Sequence, residues 1–239
     1  MNLIADALEW IFAGAPGAGN AALPAAFAEH LVYTFISVAI AALIAVPAGW
    51  WIGHTGRGRD VAVAISGAAR AIPSFGLLLL LVLIMGVLHK PEAAVITFVL
   101  LAIPSLLAGA YTGFEAIDRA VIDAGKATGM TPAQILWRIE IPLGLPLLIA
   151  GFRAATLQVV ATVTLAAYVN LGGLGQYIIT GLPLRRFEMV LGGAILVAAL
   201  ALVLDGVFAV LQRVLLPRGV RAALLRAPDP RRRTSPVAA

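Results

Sequence analysis

The chain has no cysteine among its 239 residues. Disulfides, zinc–thiolate sites and cysteine nucleophiles are therefore excluded. Histidine is scarce as well. His30, His54 and His89 each stand without a second ligand three or four residues away, so no metal site is expected. Charge is the next shortage: 12% of residues are Asp, Glu, Lys or Arg, against 61% hydrophobic, at a mean hydropathy of +0.98. A soluble domain of this length cannot bury so much apolar side chain, and no heptads or collagen triplets offer a fibrous outlet. What is present is membrane-spanning material, and the expected fold is all-α, because helices pair their own backbone groups inside hydrocarbon.

A helix needs about 20 apolar residues to cross a bilayer core. Leu31 to Gly53, Ala71 to Leu88 and Ala93 to Phe114 are charge-free, Leu143 to Tyr168 contains only Arg153, and Met189 to Leu211 contains only Asp205. Five spans is the base count. Met1 to Phe12 is too short to span and carries Asp6 and Glu9, which reads as an interfacial helix followed by a Gly/Pro-rich linker through Pro24. It has no basic leading region, which argues against a cleaved signal peptide. The expected division is 1–24 for this segment and linker, 25–212 for the membrane domain, and 213–239 for a basic tail.

Five spans place the termini on opposite sides, and basic residues choose which. Gly53 to Arg70 carries Arg57, Arg59 and Arg70, Gly113 to Ile141 carries Arg119, Lys126 and Arg138, and the tail after Leu211 carries seven arginines. The other side holds only Lys90, Arg185 and Arg186. This predicts an outer N-terminus and a cytoplasmic tail. Beside a bilayer, Arg231, Arg232 and Arg233 read as topology and anionic-lipid contacts, not as nucleic-acid binding. Trp50-Trp51, where the first span meets the cytoplasmic interface, reads as an anchor.

The longest polar segment on the cytoplasmic side is residues 115–142. Ile117 to Lys126 has helical composition and runs to Gly129, suited to the positive φ of a helix C-cap. Thr131, Pro132 and Gln134 then form a capping box, flanked by Met130 and Ile135 as a hydrophobic staple. Ile135, Leu136 and Ile139 share an apolar face, and Pro142 is expected to stop this second helix where the fourth span begins. The product is a helix–turn–helix hairpin facing the cytoplasm; the plainer alternative is an amphipathic connector lying on the membrane.

Asp123-Ala124-Gly125, Gly129 and Ile139-Glu140-Ile141-Pro142 resemble the Glu-Ala-Ala, Gly, Ile-x-Leu-Pro signature of permease subunits of ABC importers. The spacing fits, with Asp for Glu, Gly for the second Ala and Ile for Leu. The resemblance implies a type I permease fold. It also implies that the hairpin is the coupling helix that docks on a cytoplasmic ATP-binding subunit, with Asp123, Ala124, Gly125, Gly129, Ile139 and Pro142 at the transmission contact. The chain has no phosphate-binding loop of its own: Gly125-Lys126 is followed by Ala127 and lacks the upstream glycine. Glu29-His30-Leu31, Ala71-Ile72-Pro73-Ser74, Tyr111-Thr112-Gly113 and Leu171-Gly172-Gly173-Leu174-Gly175 look like permeases for osmoprotectants such as glycine betaine, choline and carnitine. Where those permeases usually have Arg-Asn, this chain has Ala108-Gly109, a departure that bears on the substrate. The implied partners are the ATP-binding subunit, a second permease copy or paralogue, an extracytoplasmic binding protein and membrane lipid. No cofactor is expected, and no catalysis within this chain.

Further readings concern the spans. Arg153 and Asp205 suit a structural pair between neighbouring helices, or a gate. Gln158 with Thr162, and Thr164 with Tyr168, lie four apart and suit a translocation route or helix–helix hydrogen bonds. Asn170 to Glu188, rich in glycine and carrying Pro183 and Arg185-Arg186, reads as a re-entrant or periplasm-facing gate loop, or as a plain connection. Pro73 and Pro104, in near-identical contexts that share the word Ala-Ile-Pro-Ser, read as kinks. Aromatic residues make up 7% of the chain, with no Trp or Tyr box to cage a quaternary ammonium. A route that selects weakly, behind a selective binding protein, accommodates this; so does another solute such as an amino acid. A channel or secondary transporter is the remaining transport class, opposed by the hairpin and by Asp205 being the only carboxylate inside a span. A membrane enzyme has no nucleophile with a nearby base to offer.

Overall fold

The computed structural model describes residues 2–14 and 21–215, and these are helical apart from short turns. The basic tail beyond Leu215 and residues 15–20 of the linker lie outside the described residues. In order, the elements are α1 (Leu3–Phe12), α2 (Leu23–Thr55), α3 (Arg59–Ala71), α4 (Ser74–Met85) and, after a 3-10 turn at Val87–His89, α5 (Lys90–Glu115). Then come α6 (Arg119–Ala127), α7 (Pro132–Ile135), a π-turn (Leu136–Glu140), α8 (Ile141–Val163), a 3-10 segment (Thr164–Val169), α9 (Gly175–Gly181) and α10 (Phe187–Leu215).

Four continuous stretches are long and apolar enough to cross a membrane: α2, residues 87–115, residues 132–169 and α10. The remaining expected span, Ala71 to Leu88, is not a straight helix. α3 and α4 meet at an 85° bend at Ile72-Pro73, because a residue before proline is pushed out of the helical region and Pro73 has no N–H for the ladder. Ile72 accordingly has ψ 125°. Pro73 therefore breaks its helix, whereas Pro104 is carried within α5. At the N-terminal side the linker is shorter than the sequence suggests: α2 begins at Leu23, with Pro24 in its first turn where no N–H is needed.

The core is α5 with α2 and α8 on either side, joined through small residues. A Cβ placed on Gly49 would meet Ala110, one on Gly53 would meet Phe114, and Gly113 lies directly on Gly144. Such faces let backbones approach and gain dispersion contacts where lipid supplies no hydrophobic drive. α5 is buried over 72% of its apolar window, α10 over only 17%. Leu202, Val203, Val207, Val210 and Val214 of α10 remain exposed, as lipid-facing side chains do. α1 is not a free surface helix: its Trp10 is buried against Gly192 of α10 and meets the Tyr177 ring edge-on at 5.1 Å.

Candidate functional site

The hairpin closes one end of the bundle. Asp118 caps α6 by accepting from the Ala120 N–H at 2.9 Å. Gly129 ends the turn at φ +80°, its N–H donating to Lys126 O at 2.9 Å while that of Met130 donates to Gly125 O at 3.1 Å; this is the Schellman arrangement. The capping box is complete: Thr131 N–H donates to Gln134 Oε1 at 2.8 Å, and Gln134 N–H to Thr131 Oγ1 at 3.3 Å. Met130, Ile135 and Ile139 converge on Gly125, where a Cβ would stand 2.9 Å from Ile139 Cδ1. Gly125 is thus the contact on which the two arms fold. Asp123, Ala124 and Gly129 are exposed at the tip, while Ile139 and Pro142 are partly buried at the root.

The expected stop at Pro142 does not occur. Helix runs from Pro132 to Val169, and the proline is absorbed by the five-residue π-turn just before it. A proline ring collides with the carbonyl four residues back, here that of Arg138, and the widened turn makes the room. The second arm of the hairpin is therefore continuous with a membrane helix.

Beside the hairpin lies a cavity of about 420 Å³ lined by His54, Phe114, Glu115, Arg119, Lys126 and Glu140 among others. His54 Nδ1 donates to Glu140 Oε2 at 2.5 Å, and Glu140 is the one buried carboxylate among the described residues. In the same turn Trp137 meets Trp50 of α2 edge-on at 6.4 Å, and Trp50 stacks on Phe114 of α5. Trp51 is 58% exposed, whereas Trp50 belongs to this cluster. No spacing rule links positions 54 and 140, so sequence reasoning misses the pair.

Within the bundle, Arg153 and Asp205 join in a two-point ion pair, Nε to Oδ1 at 2.5 Å and Nη2 to Oδ2 at 2.6 Å. The polar stripe is less coherent. Thr162 donates to Gln158 O of its own helix, Thr164 to Ala161 O, and Ser105 Oγ reaches Gln158 Oε1 only at 3.4 Å. Thr164 and Tyr168 fall in the 3-10 segment, where four steps of roughly 120° turn them onto different faces. Tyr168 lies against Phe75, ring centres 4.7 Å apart. Gly109 is buried on α8, where a Cβ would be 2.8 Å from both Gly151 Cα and Leu147 O. Position 109 of the Ala108-Gly109 departure is therefore a helix-packing position.

At the opposite end, two separate sequence words meet. Glu29 Oε2 accepts from Gly173 N–H at 2.9 Å. The buried His30 accepts from Leu174 N–H through Nδ1 at 3.3 Å and donates through Nε2 to Val160 O at 3.0 Å. Gly172 and Gly173 both sit at φ +74°, the backbone that lets this loop fold onto α2. Tyr177 donates to Ala21 O at 2.8 Å; burial, and then the Glu29 carboxylate, push its hydroxyl above the ordinary range, which keeps it protonated. Lys90 Nζ donates to Asn170 O at 3.1 Å, and Arg186 pairs with Glu188 at 2.9 Å. The loop is pinned, not slack.

Comparison with known proteins supplies the family and the fold. Residues 45–218 match the family described as "Binding-protein-dependent transport system inner membrane component". The choline transport system permease protein OpuBB of Bacillus subtilis is 34% identical over 81% of this chain and 88% of its own. The osmoprotectant import permease protein OsmW of Salmonella typhimurium is 32% identical over 81% of this chain and 91% of its own. Among solved structures, an inward-facing MetNI methionine ABC transporter superposes with a TM-score of 0.71 at 22% identity, covering 82% of this chain and 96% of that one. The match to it is one of fold alone. Through the family match, and through relatives aligned over most of its length, the chain belongs to the binding-protein-dependent transport system inner membrane components, the permease subunits of ABC importers.

Proposed function

We propose that this permease imports osmoprotectants, quaternary amines such as glycine betaine, choline or carnitine. The observation that carries the reading is identity of 30% or more, over four-fifths of the chain, with permeases named for choline, carnitine and glycine betaine. Membership makes the chain a multi-pass inner-membrane transport component and not a catalytic subunit; it implies an ATP-binding subunit and a substrate-binding protein as partners.

In this reading the hairpin end is cytoplasmic and the Gly172-Gly173 loop faces out, supported by the basic residues of α3, the hairpin and the tail. Residues 25–212 form the transport domain, flanked by the N-terminal segment 1–24 and the cytoplasmic tail 213–239. Asp123, Ala124, Gly125 and Gly129 present the coupling surface. Ile139 and Pro142 carry its motion into α8, since helix is continuous from the hairpin into the membrane. A second permease, identical or paralogous, completes the solute path, to which Gln158 and Thr162 contribute. Arg153 and Asp205 tie α8 to α10 and hold no solute.

The test is reconstitution of the purified complex with its binding protein in liposomes and measurement of labelled choline and glycine betaine uptake. Accumulation that needs ATP and binding protein supports the proposal. Equal uptake without ATP moves the chain to a channel or secondary transporter, and ATP-dependent uptake of an amino acid in their place corrects the substrate.

A further inference from the structure

We propose that Trp50, His54, Trp137 and Glu140 form a joint through which the hairpin drives α2 as well as α8; this rests on the coupling role of the hairpin. Trp50 and His54 are four apart on α2 and so lie on one face. Trp137 and Glu140 are three apart within the π-turn. The two pairs meet twice, ring edge to ring at 6.4 Å and His54 Nδ1 to Glu140 Oε2 at 2.5 Å. A two-point contact transmits rotation as well as push.

The chemistry argues for a retained tie and not for incidental packing. A buried carboxylate costs free energy, and apolar residues of similar size often stabilise a site more than an ion pair does. What the pair supplies is direction: a charge-assisted bond to one acceptor fixes the angle at which the turn meets α2. The neighbourhood favours transmission on the α2 side. Gly53 rests on Phe114 and Trp50 stacks on the same ring, so the end of α2 is braced against α5. On the hairpin side a cavity of about 420 Å³ lies between α6 and the bundle and is bordered by His54 and Glu140 themselves, while Gly125 of α6 packs on Ile139 of the same turn, so movement of α6 reaches the joint through the turn. α2 also reaches the far end, where its Glu29 and His30 hold the Gly173-Leu174 loop. The joint thus connects the hairpin to that loop through a single helix.

The test uses the full complex with its ATP-binding subunit and binding protein in liposomes, reading choline moved per ATP hydrolysed. Glu140→Ala and His54→Ala should assemble and hydrolyse ATP, with choline per ATP falling about tenfold, the scale of one lost charge-assisted bond. The reversed pair His54→Glu/Glu140→His should recover most of the loss. Arg59→Ala, which breaks the exposed Arg59–Glu115 pair at the same end, should leave the ratio unchanged. Because the chain has no native cysteine, a second test needs no stable alanine variant: His54→Cys/Glu140→Cys, joined by a short reducible thiol bridge with partners free of cysteine, should transport when bridged and lose coupling when reduced. Full coupling in either alanine variant, no recovery in an assembled reversed pair, or arrest of transport by the bridge would overturn the joint. Wild-type uptake without ATP would instead overturn the importer reading, and the joint with it.

Discussion

Single side chains in this protein are placed by what their absence or presence does to helix contact. At Gly109 the lack of a Cβ lets α5 lie on Gly151 of α8. Introducing Gly109→Asn forces the helices apart, and overpacking of this kind costs about 1–3 kcal/mol. The expected result is a lower melting temperature of the detergent-solubilised complex with an unaltered ranking of choline, carnitine and glycine betaine in uptake competition. A changed ranking would return position 109 to the solute path. His30 works by the opposite means, through both ring nitrogens: with Leu174 N–H donating to Nδ1, the proton must sit on Nε2, where it is donated to Val160 O.

The hairpin shows how much an element inherits from local chemistry. Its cap, its turn glycine and its staple residues are all local devices acting over three to six positions, and each is readable in the sequence. Gly129 sits in the left-handed region, and a Cβ added there would meet no atom within 4 Å. Gly129→Arg therefore meets no crowding and carries only a backbone cost of about 1–2 kcal/mol. Insertion of that variant in the membrane, assayed by fractionation, should be intact while uptake is abolished. Gly129→Asn, which tolerates the same backbone, separates the two effects: it should retain more transport than the arginine variant. Normal uptake by Gly129→Arg would remove the turn from the coupling surface. Proline effects are not legible in the same way. Pro73 and Pro104 share one sequence word, yet the first breaks α3 from α4 by 85° and the second stays inside α5. Neighbours decide this: Pro104 is buried in the packed core, which holds its helix together, whereas Ile72 and Pro73 are exposed. Pro142, where a local rule ends the helix, is absorbed by a π-turn because the chain on both sides is anchored.

Across the whole molecule, α10 packs on α1, α8 and α9 through one face, where Met189, Leu196 and Leu200 are buried. The rest of its apolar surface is largely exposed, and the Arg153–Asp205 pair and the Trp10–Gly192 contact add ties to α8 and α1. Asp205→Ala alone leaves an arginine without its partner inside a span, so the variant should give less assembled complex by size-exclusion chromatography. Arg153→Met together with Asp205→Leu removes both charges and should restore the yield. If the double variant assembles but fails to transport, the pair belongs to the gate and not to the scaffold.

Membrane residence, helical class, the approximate spans, the basic asymmetry and the hairpin were determined by the sequence alone, because each follows from composition or from spacing within one turn or one span. Even the Arg153–Asp205 pairing was within reach, since two lone charges in adjacent apolar helices have few alternatives. Tertiary structure alone decided the His54–Glu140 contact across 86 positions and the Glu29 and His30 hold on the Gly173-Leu174 loop across 144. It also decided that Gly109 is a packing position and that the Thr164–Tyr168 stripe winds apart. These depend on which helix faces meet, and that is set by close packing of small residues summed over the bundle. No local pattern records that sum.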